Sequence, residues 1–264
     1  MSSVTVRCKS VKQPRGGYIK PSQFKEVVYD DGQELFDENV HYSVRGMAVE
    51  YLTRFMSGMP AAEAFANPIC GYSVRISYFG EQKEAEDREK KVDIGSLIGA
   101  IKGLDDASIV AACKAVTYDV WFRVSPEEAE ICKSADETTP DGNTIHNIRV
   151  LVERCLAFFA QYGPVVGSGL YFPGGYTKTV DSGDADFMTA DTLWDFKVSK
   201  SKPDNKQTLQ LLMYWLMSRR SYPQYQDIRR LGIFNPMLNT VYLLETKDIP
   251  PETVEAVERD VIGY

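Results

Sequence analysis

The chain has 264 residues, 44% of them hydrophobic and 25% charged, with a formal net charge of −7. These proportions suit a globular protein with a sizeable core and exclude a disordered or low-complexity chain. No apolar run approaches the ~18 residues of a membrane span, and the start, Met1-Ser2-Ser3-Val4-Thr5-Val6-Arg7, lacks the apolar stretch of a secretory leader, so a cytoplasmic protein is expected.

Residues 1–40 are rich in Gly, Pro, Lys and Asp and read as a strand-containing arm. At 42–57, Val44, Met47, Ala48, Tyr51, Leu52 and Phe55 recur at helical spacing. A short helix is expected at 60–65, and a charge-dense helix or linker at 81–91. Residues 93–124 read as two helices split near Gly103-Leu104-Asp105, with Asp105 and Asp106 opening the second. Ser125-Pro126-Glu127-Glu128 is a helix start, because Ser caps, Pro fits the first turn and acids complement the helix dipole. Residues 134–143 form a polar loop, and an amphipathic helix follows at 144–162. Strands are expected at 185–188 and 193–198, joined by a tight turn at 189–192. A helix at 207–217, strands at 228–234 and 240–245, and a closing helix at 250–261 complete the chain. This order predicts an α/β fold: one domain over 1–264, its mixed central sheet flanked by helices. Its core lies at about 42–58 and 144–264, with a helical insertion at about 60–134.

The chemistry concentrates between Ser182 and Met217. Side chains alternate along a strand, so Asp195 and Lys197 share one face while Trp194, Phe196 and Val198 take the other. If Asp186, on the neighbouring strand, points to the Asp195 side, the two carboxylates converge. Two such groups repel each other unless a cation lies between them. Mg²⁺, which takes carboxylate oxygens, water and phosphate, suits the position. Lys197 beside them can orient a water or offset charge on a phosphate. On the next helix Gln210 and Tyr214 are four apart and share one face. An amide and a phenol so placed can hydrogen-bond a water, the lysine or a phosphate.

The run Gly183-x-x-Asp186, Asp195-x-Lys197, Gln210-x-x-x-Tyr214 resembles the motifs of the PD-(D/E)xK nuclease superfamily in its RecB-like exonuclease branch. That branch includes the RecB nuclease domain, the CRISPR-associated RecB-like exonucleases and, more distantly, lambda exonuclease. The resemblance is tight over 182–217 and looser from Tyr42 onward. It implies a restriction-endonuclease-like core and a metal-dependent deoxyribonuclease acting in repair, recombination or phage and mobile-element DNA processing. An exonuclease is the expected form, with endonuclease left open. By the same resemblance Asp186, Asp195 and the Phe196 carbonyl bind Mg²⁺ or Mn²⁺, and Lys197 is the catalytic lysine. An upstream Gly-x-x-x-Glu, Gly46 to Glu50, supplies a third carboxylate, with Glu153 the competing candidate. Some relatives hold an iron–sulfur cluster on cysteines near the C-terminus. The five cysteines here are Cys8, Cys70, Cys113, Cys132 and Cys155, none in a Cys-x-x-Cys pair, so no such cluster is expected. His41 and His146 are too few and isolated for a zinc site.

A net negative chain must offer a phosphate backbone a local positive field. Lys200, Lys202 and Lys206 follow Lys197 with only Asp204 among them, so they are candidate phosphate contacts. Arg219, Arg220, Arg229 and Arg230 form a second basic cluster. DNA, with ends preferred, is the expected partner, together with a possible recombinase or annealing protein. Oligomers are open and no membrane is involved. The alternative is a catalytically silent DNA-binding or assembly module of the same fold.

Overall fold

A computed structural model describes residues 2–264. They fall into two compact units: a sheet unit, from residues up to 31 and 158–264, and a helical unit, from 32–157. The amino-terminal residues belong with the sheet, and the helix that carries Glu50 belongs with the helical unit.

In chain order the strands are β1 (Ser2–Ser3), β2 (Lys25–Val28), β3 (Gly167–Leu170), β4 (Val180–Ser182), β5 (Ala185–Met188), β6 (Thr192–Phe196), β7 (Arg230–Asn235) and β8 (Thr240–Glu245). Helix α1 (Val4–Ser10) precedes the helical unit, which holds α2 (Tyr42–Met56), α3 (Ala61–Ala64), α4 (Ala66–Phe79), α5 (Glu81–Glu89), α6 (Ile94–Ala100), α7 (Asp106–Ala115), α8 (Asp119–Arg123) and α9 (Pro126–Glu130). Helix α10 (Gly142–Tyr162) carries the chain into the sheet unit, where α11 (Asn205–Ser218) and α12 (Pro251–Ala256) follow.

The main sheet is mixed, in the order β2-β8-β7-β6-β5-β3. Only β6 and β7 pair in parallel there. A parallel pair needs a crossover, and α11 supplies it. This crossover helix is apolar on nearly every side because it is buried from Leu211 to Ser218. Its start is fixed by a capping box. Asp204 accepts from the Lys206 and Gln207 amides at 2.9 and 3.0 Å, and the Gln207 side chain accepts from the Asp204 amide at 2.9 Å.

The alternation of β6 divides two cores. Leu193, with Leu231 and Ile233 of β7, packs in the cluster that contains α11. Trp194 and Phe234 face the last turn of α10, where Phe158 stacks on Phe234 at 4.2 Å and meets Trp194 edge-on at 4.8 Å. Tyr162 closes this layer through its hydroxyl, 2.6 Å from that of Tyr29.

The helical unit is held partly by buried polar pairs. Arg45 meets Glu38 at 2.6 Å, and the Asn147 amide donates to Glu38 and to the Phe36 carbonyl, both at 2.8 Å. Tyr51 bonds to the fully buried Asp119, which the exposed Arg123 also reaches, and Arg75 bonds to the buried Asp87. Breaking one partner of such a pair leaves an uncompensated charge, which costs about 3–5 kcal/mol. Helix α4 passes so close to the turn leading into α8 that a Cβ at residue 71 would strike the Tyr118 carbonyl, so glycine is required there.

In the sheet unit, Gly232 lies opposite Trp194 in the parallel register and leaves room for the indole. A Cβ there would meet the ring carbons directly. Gly232→Ala is expected to destabilise the fold by about 1–3 kcal/mol, as overpacked cores do. Urea denaturation checks this, and an unchanged midpoint would contradict the packing.

Candidate active site

Strands β5 and β6 form the hairpin the sequence suggests. The Thr189 amide closes the turn on the Thr192 carbonyl at 3.0 Å. Phe187 pairs with Trp194 and Met188 with Leu193, so the next step along the same register sets Asp186 opposite Asp195. Residues opposed in an antiparallel pair share a face, with Cβ atoms about 4.5–5.5 Å apart. The two carboxylates are therefore on one side of the sheet, with Lys197 next along that side. An Asp186 oxygen accepts the Phe196 amide at 2.6 Å, where a backbone carbonyl would ordinarily continue the ladder. The Lys197 amide turns the other way, to Phe234 of β7, at 2.9 Å.

The position is the carboxyl end of the parallel strand β6, where the chain leaves for α11. Open α/β sheets bind ligands at such ends. The two aspartates differ in environment. Asp186 is exposed, whereas Asp195 is only 2% exposed. One Asp195 oxygen lies 2.9 Å from the Lys197 ammonium. The other, Oδ2, is buried with no hydrogen-bond partner among the described residues. Burial pushes the Asp195 carboxyl above the usual range, and Lys197 pulls against that shift. For Lys197 burial acts downward, but Asp195 and Asp186 outweigh it and the ammonium is held more firmly than usual.

Helix α11 lays Gln210 and Tyr214 beside this pair. The Gln210 amide donates to the Tyr214 hydroxyl at 3.1 Å. Burial raises the Tyr214 pKa, and the carboxylates of Asp195, Asp186 and Asp184 add to the shift. Its ring packs near Gly183, which has φ +141°. A Cβ at residue 183 would come within 2.8 Å of Val4, so the glycine of Gly-x-x-Asp lets the strand pass under α1.

Helix α1 is the part of the site that sequence reasoning missed. The Thr5 hydroxyl takes a second hydrogen bond from the Gln210 amide, at 3.3 Å. Cys8 lies against Met213, sulfur to sulfur at 3.5 Å, within the field of Asp195 and Lys197. The available signal was slight: a Ser3 cap before Val4 and Cys8 at helical spacing.

Glu50 is not part of the sheet unit. It lies on α2, and its carboxylate accepts from Arg54, one turn on, at 2.5 Å. Glu153 is exposed on α10, also in the helical unit. Among the described residues, no three His, Cys, Asp or Glu side chains form a group able to hold a metal ion. Lys200 and Lys206 are exposed. Lys202 is bound to both Glu26 oxygens, at 2.7 and 2.8 Å. An exposed pair of this kind is worth little, so a phosphate can compete for it. Much of the arginine cluster serves the fold instead. Arg219 lies over the Trp215 ring and Arg220 over that of Tyr264, and Arg230 pairs with Asp191 at 2.6 Å.

No protein-family model, curated protein or solved structure matches the chain.

Burial pushes the thiols of Cys8, Cys113 and Cys155 up to about 12, whereas Cys70 and Cys132 are exposed. At pH 8 a thiol of pKa 12 has a thiolate fraction on the order of 10⁻⁴, and the thiolate is the reactive form. Titration of the native protein with a chromogenic disulfide at pH 8 is expected to label Cys70 and Cys132 rapidly. The other three should react only after denaturation. Rapid labelling of Cys8 would show α1 lifting off the site.

Proposed function

We propose that the chain is a metal-dependent nuclease with a restriction-endonuclease-like core, hydrolysing phosphodiester bonds in DNA. The observation that carries this reading is the Asp195 carboxylate, buried, salt-bridged through one oxygen and without a partner at the other among the described residues, with Asp186 set opposite it by extension of the hairpin register. A buried carboxylate oxygen without a donor is costly unless something positive or protic fills the place. Hard oxygen donors suit Mg²⁺ or Mn²⁺. Asp186 and Asp195 would hold the ion, with the Phe196 carbonyl as the backbone ligand that the resemblance implies.

A divalent cation there supplies Lewis acidity, polarising the phosphate and making water a better nucleophile near neutral pH. The rest is the work of the chain. Lys197 keeps a firmly protonated ammonium beside the carboxylates, placed to offset negative charge developing on the phosphate. Gln210 spends its N–H bonds on Tyr214 and Thr5, which leaves its carbonyl oxygen to accept from a water. Lys200 and Lys206, with Lys202 once freed from Glu26, give an incoming phosphate backbone a positive approach.

Cleavage at DNA ends is the form this reading favours. The second reading is a module that binds DNA or a partner without cutting. It is supported by the lack, among the described residues, of a third carboxylate grouped with the pair.

Digestion of end-labelled linear and closed circular DNA with Mn²⁺ tests the reading. Wild type is expected to consume linear DNA and spare circles. Lys197→Ala and Asp195→Asn should lower the rate by about 10²-fold or more, as loss of a charge-stabilising group does. Circular dichroism confirms that both variants fold. Full activity in either one removes the assignment. Retained DNA binding without cleavage, and no Mn²⁺ binding lost on Asp186→Asn, would favour the silent module.

A further inference from the structure

The helical unit has its own unexplained surface. On α4, Val74 and Tyr78 lie one turn apart with Phe79 beside them, and Phe122 follows Trp121 on α8. Val74, Tyr78, Phe79 and Phe122 are each 38–53% exposed, although α4 and α8 are tightly apposed at Gly71. The rings of Tyr78, Phe79 and Trp121 contact one another at 5.0–5.9 Å. Large apolar side chains grouped this way mark an interaction site more often than isolated ones do. Beside them, between α4, α8 and the segment of α9, runs a cleft of about 250 Å³, with Phe79, Trp121 and Ala129 in its wall. That is small for a cofactor pocket, which takes roughly 300–1,000 Å³. It suits one large side chain used as an anchor.

Charge indicates what covers the surface. Residues 32–157 contain 21 Asp and Glu against 13 Lys and Arg, a net of −8, while the remaining residues have 16 against 17, a net of +1. The acidity of the chain thus lies wholly in the helical unit. At the patch itself Glu130 and Glu127 act on the Tyr78 hydroxyl and raise its pKa. The cations nearby are largely compensated. Arg75 is bound to Asp87, and Lys83 lies 3.1 Å from Glu86 and 3.7 Å from Asp87. Lys133, also in the cleft wall, interacts with Glu137. An acidic rim opposes a phosphate backbone, so the rings are poorly placed as a stacking platform for nucleic acid. A second copy docking through this same face would set two surfaces that each carry Glu127 and Glu130 against one another.

We infer that the α4–α8–α9 face is a docking site for a partner protein, which presents an amphipathic helix with basic flanks and inserts one large apolar side chain into the cleft. Helix-in-groove binding supplies the apolar contact, and the acidic rim selects the flanks. This is independent of the nuclease reading.

The test uses the full chain and a fluorescein-labelled peptide of leucine and lysine arranged at helical spacing. The control replaces every lysine by glutamate. Fluorescence anisotropy is expected to show binding of the lysine peptide alone, weakening with salt. Phe122→Ser and Tyr78→Ser should each weaken it by about tenfold or more. Both positions are exposed, so the fold survives, and circular dichroism verifies it. Glu127→Lys with Glu130→Lys should weaken it comparably. Several results overturn the proposal: no binding of the lysine peptide, equal binding of the glutamate peptide, or unchanged affinity in Phe122→Ser. So do displacement of the peptide by a single-stranded oligonucleotide and a wild-type dimer that Phe122→Ser converts to monomer.

Discussion

The sheet unit is organised around a carboxylate placed where water cannot reach it. Asp195 sits at the end of β6 between an apolar helix and the sheet, with one oxygen on Lys197 and the other without a hydrogen-bond partner among the described residues. Removing a carboxylate and an ammonium from water costs several kcal/mol per ion, and their mutual attraction offsets this only when every remaining lone pair is satisfied. Here one is not. Apolar residues of similar volume would serve stability at least as well, so stability alone is a poor account of the pair. A demand for positive charge at that oxygen is a better one, and Asp186 across the hairpin deepens the demand.

The neighbouring elements answer to the same constraint. The parallel pairing of β6 with β7 requires the α11 crossover, and the crossover brings Gln210 and Tyr214 to the carboxyl end of β6. Gly183 has no side chain because Val4 and Tyr214 occupy its space. Thr5 and Tyr214 take both hydrogens of the Gln210 amide, which fixes which end of that amide is left for other partners. Tilting α1 would therefore disturb the amide and the buried Cys8–Met213 contact together, without touching either aspartate. Helix α1 thus supports the site through Thr5 and Cys8 while supplying none of its carboxylates.

What could be read in the sequence was what depends on neighbours in the chain. The turn formers between Met188 and Leu193 fixed the hairpin, and strand alternation then put Asp195 and Lys197 together. Ser125 and Asp105 cap helices as their local patterns indicate. What could not be read depends on distant partners. Periodicity shows that 42–57 has an apolar face but not what that face meets; Ala48, Tyr51 and Leu52 are buried within the helical unit. Lys202 looks like a free phosphate contact until Glu26, on the edge strand β2, is brought beside it. The need for glycine at residue 71 lies in the Tyr118 carbonyl of another element, which no local pattern shows. Arg220 joins a basic cluster by sequence, yet its guanidinium lies 3.7 Å from the centre of the Tyr264 ring.

The overall charge of the chain misleads in the same way, because it averages two surfaces. A net of −7 argues against an anionic substrate if spread evenly. It is not spread evenly: the sheet unit, with its near-neutral balance, carries Lys197, Lys200, Lys202 and Lys206 on one short stretch beside the aspartates, whereas the helical unit is acidic. At physiological ionic strength a charge is screened beyond about 8 Å, so the field a phosphate meets at the sheet is set chiefly by its near neighbours. An overall charge of −7 therefore does not by itself fix the field at the lysines. Charges elsewhere in the chain count there only where folding brings them within that distance.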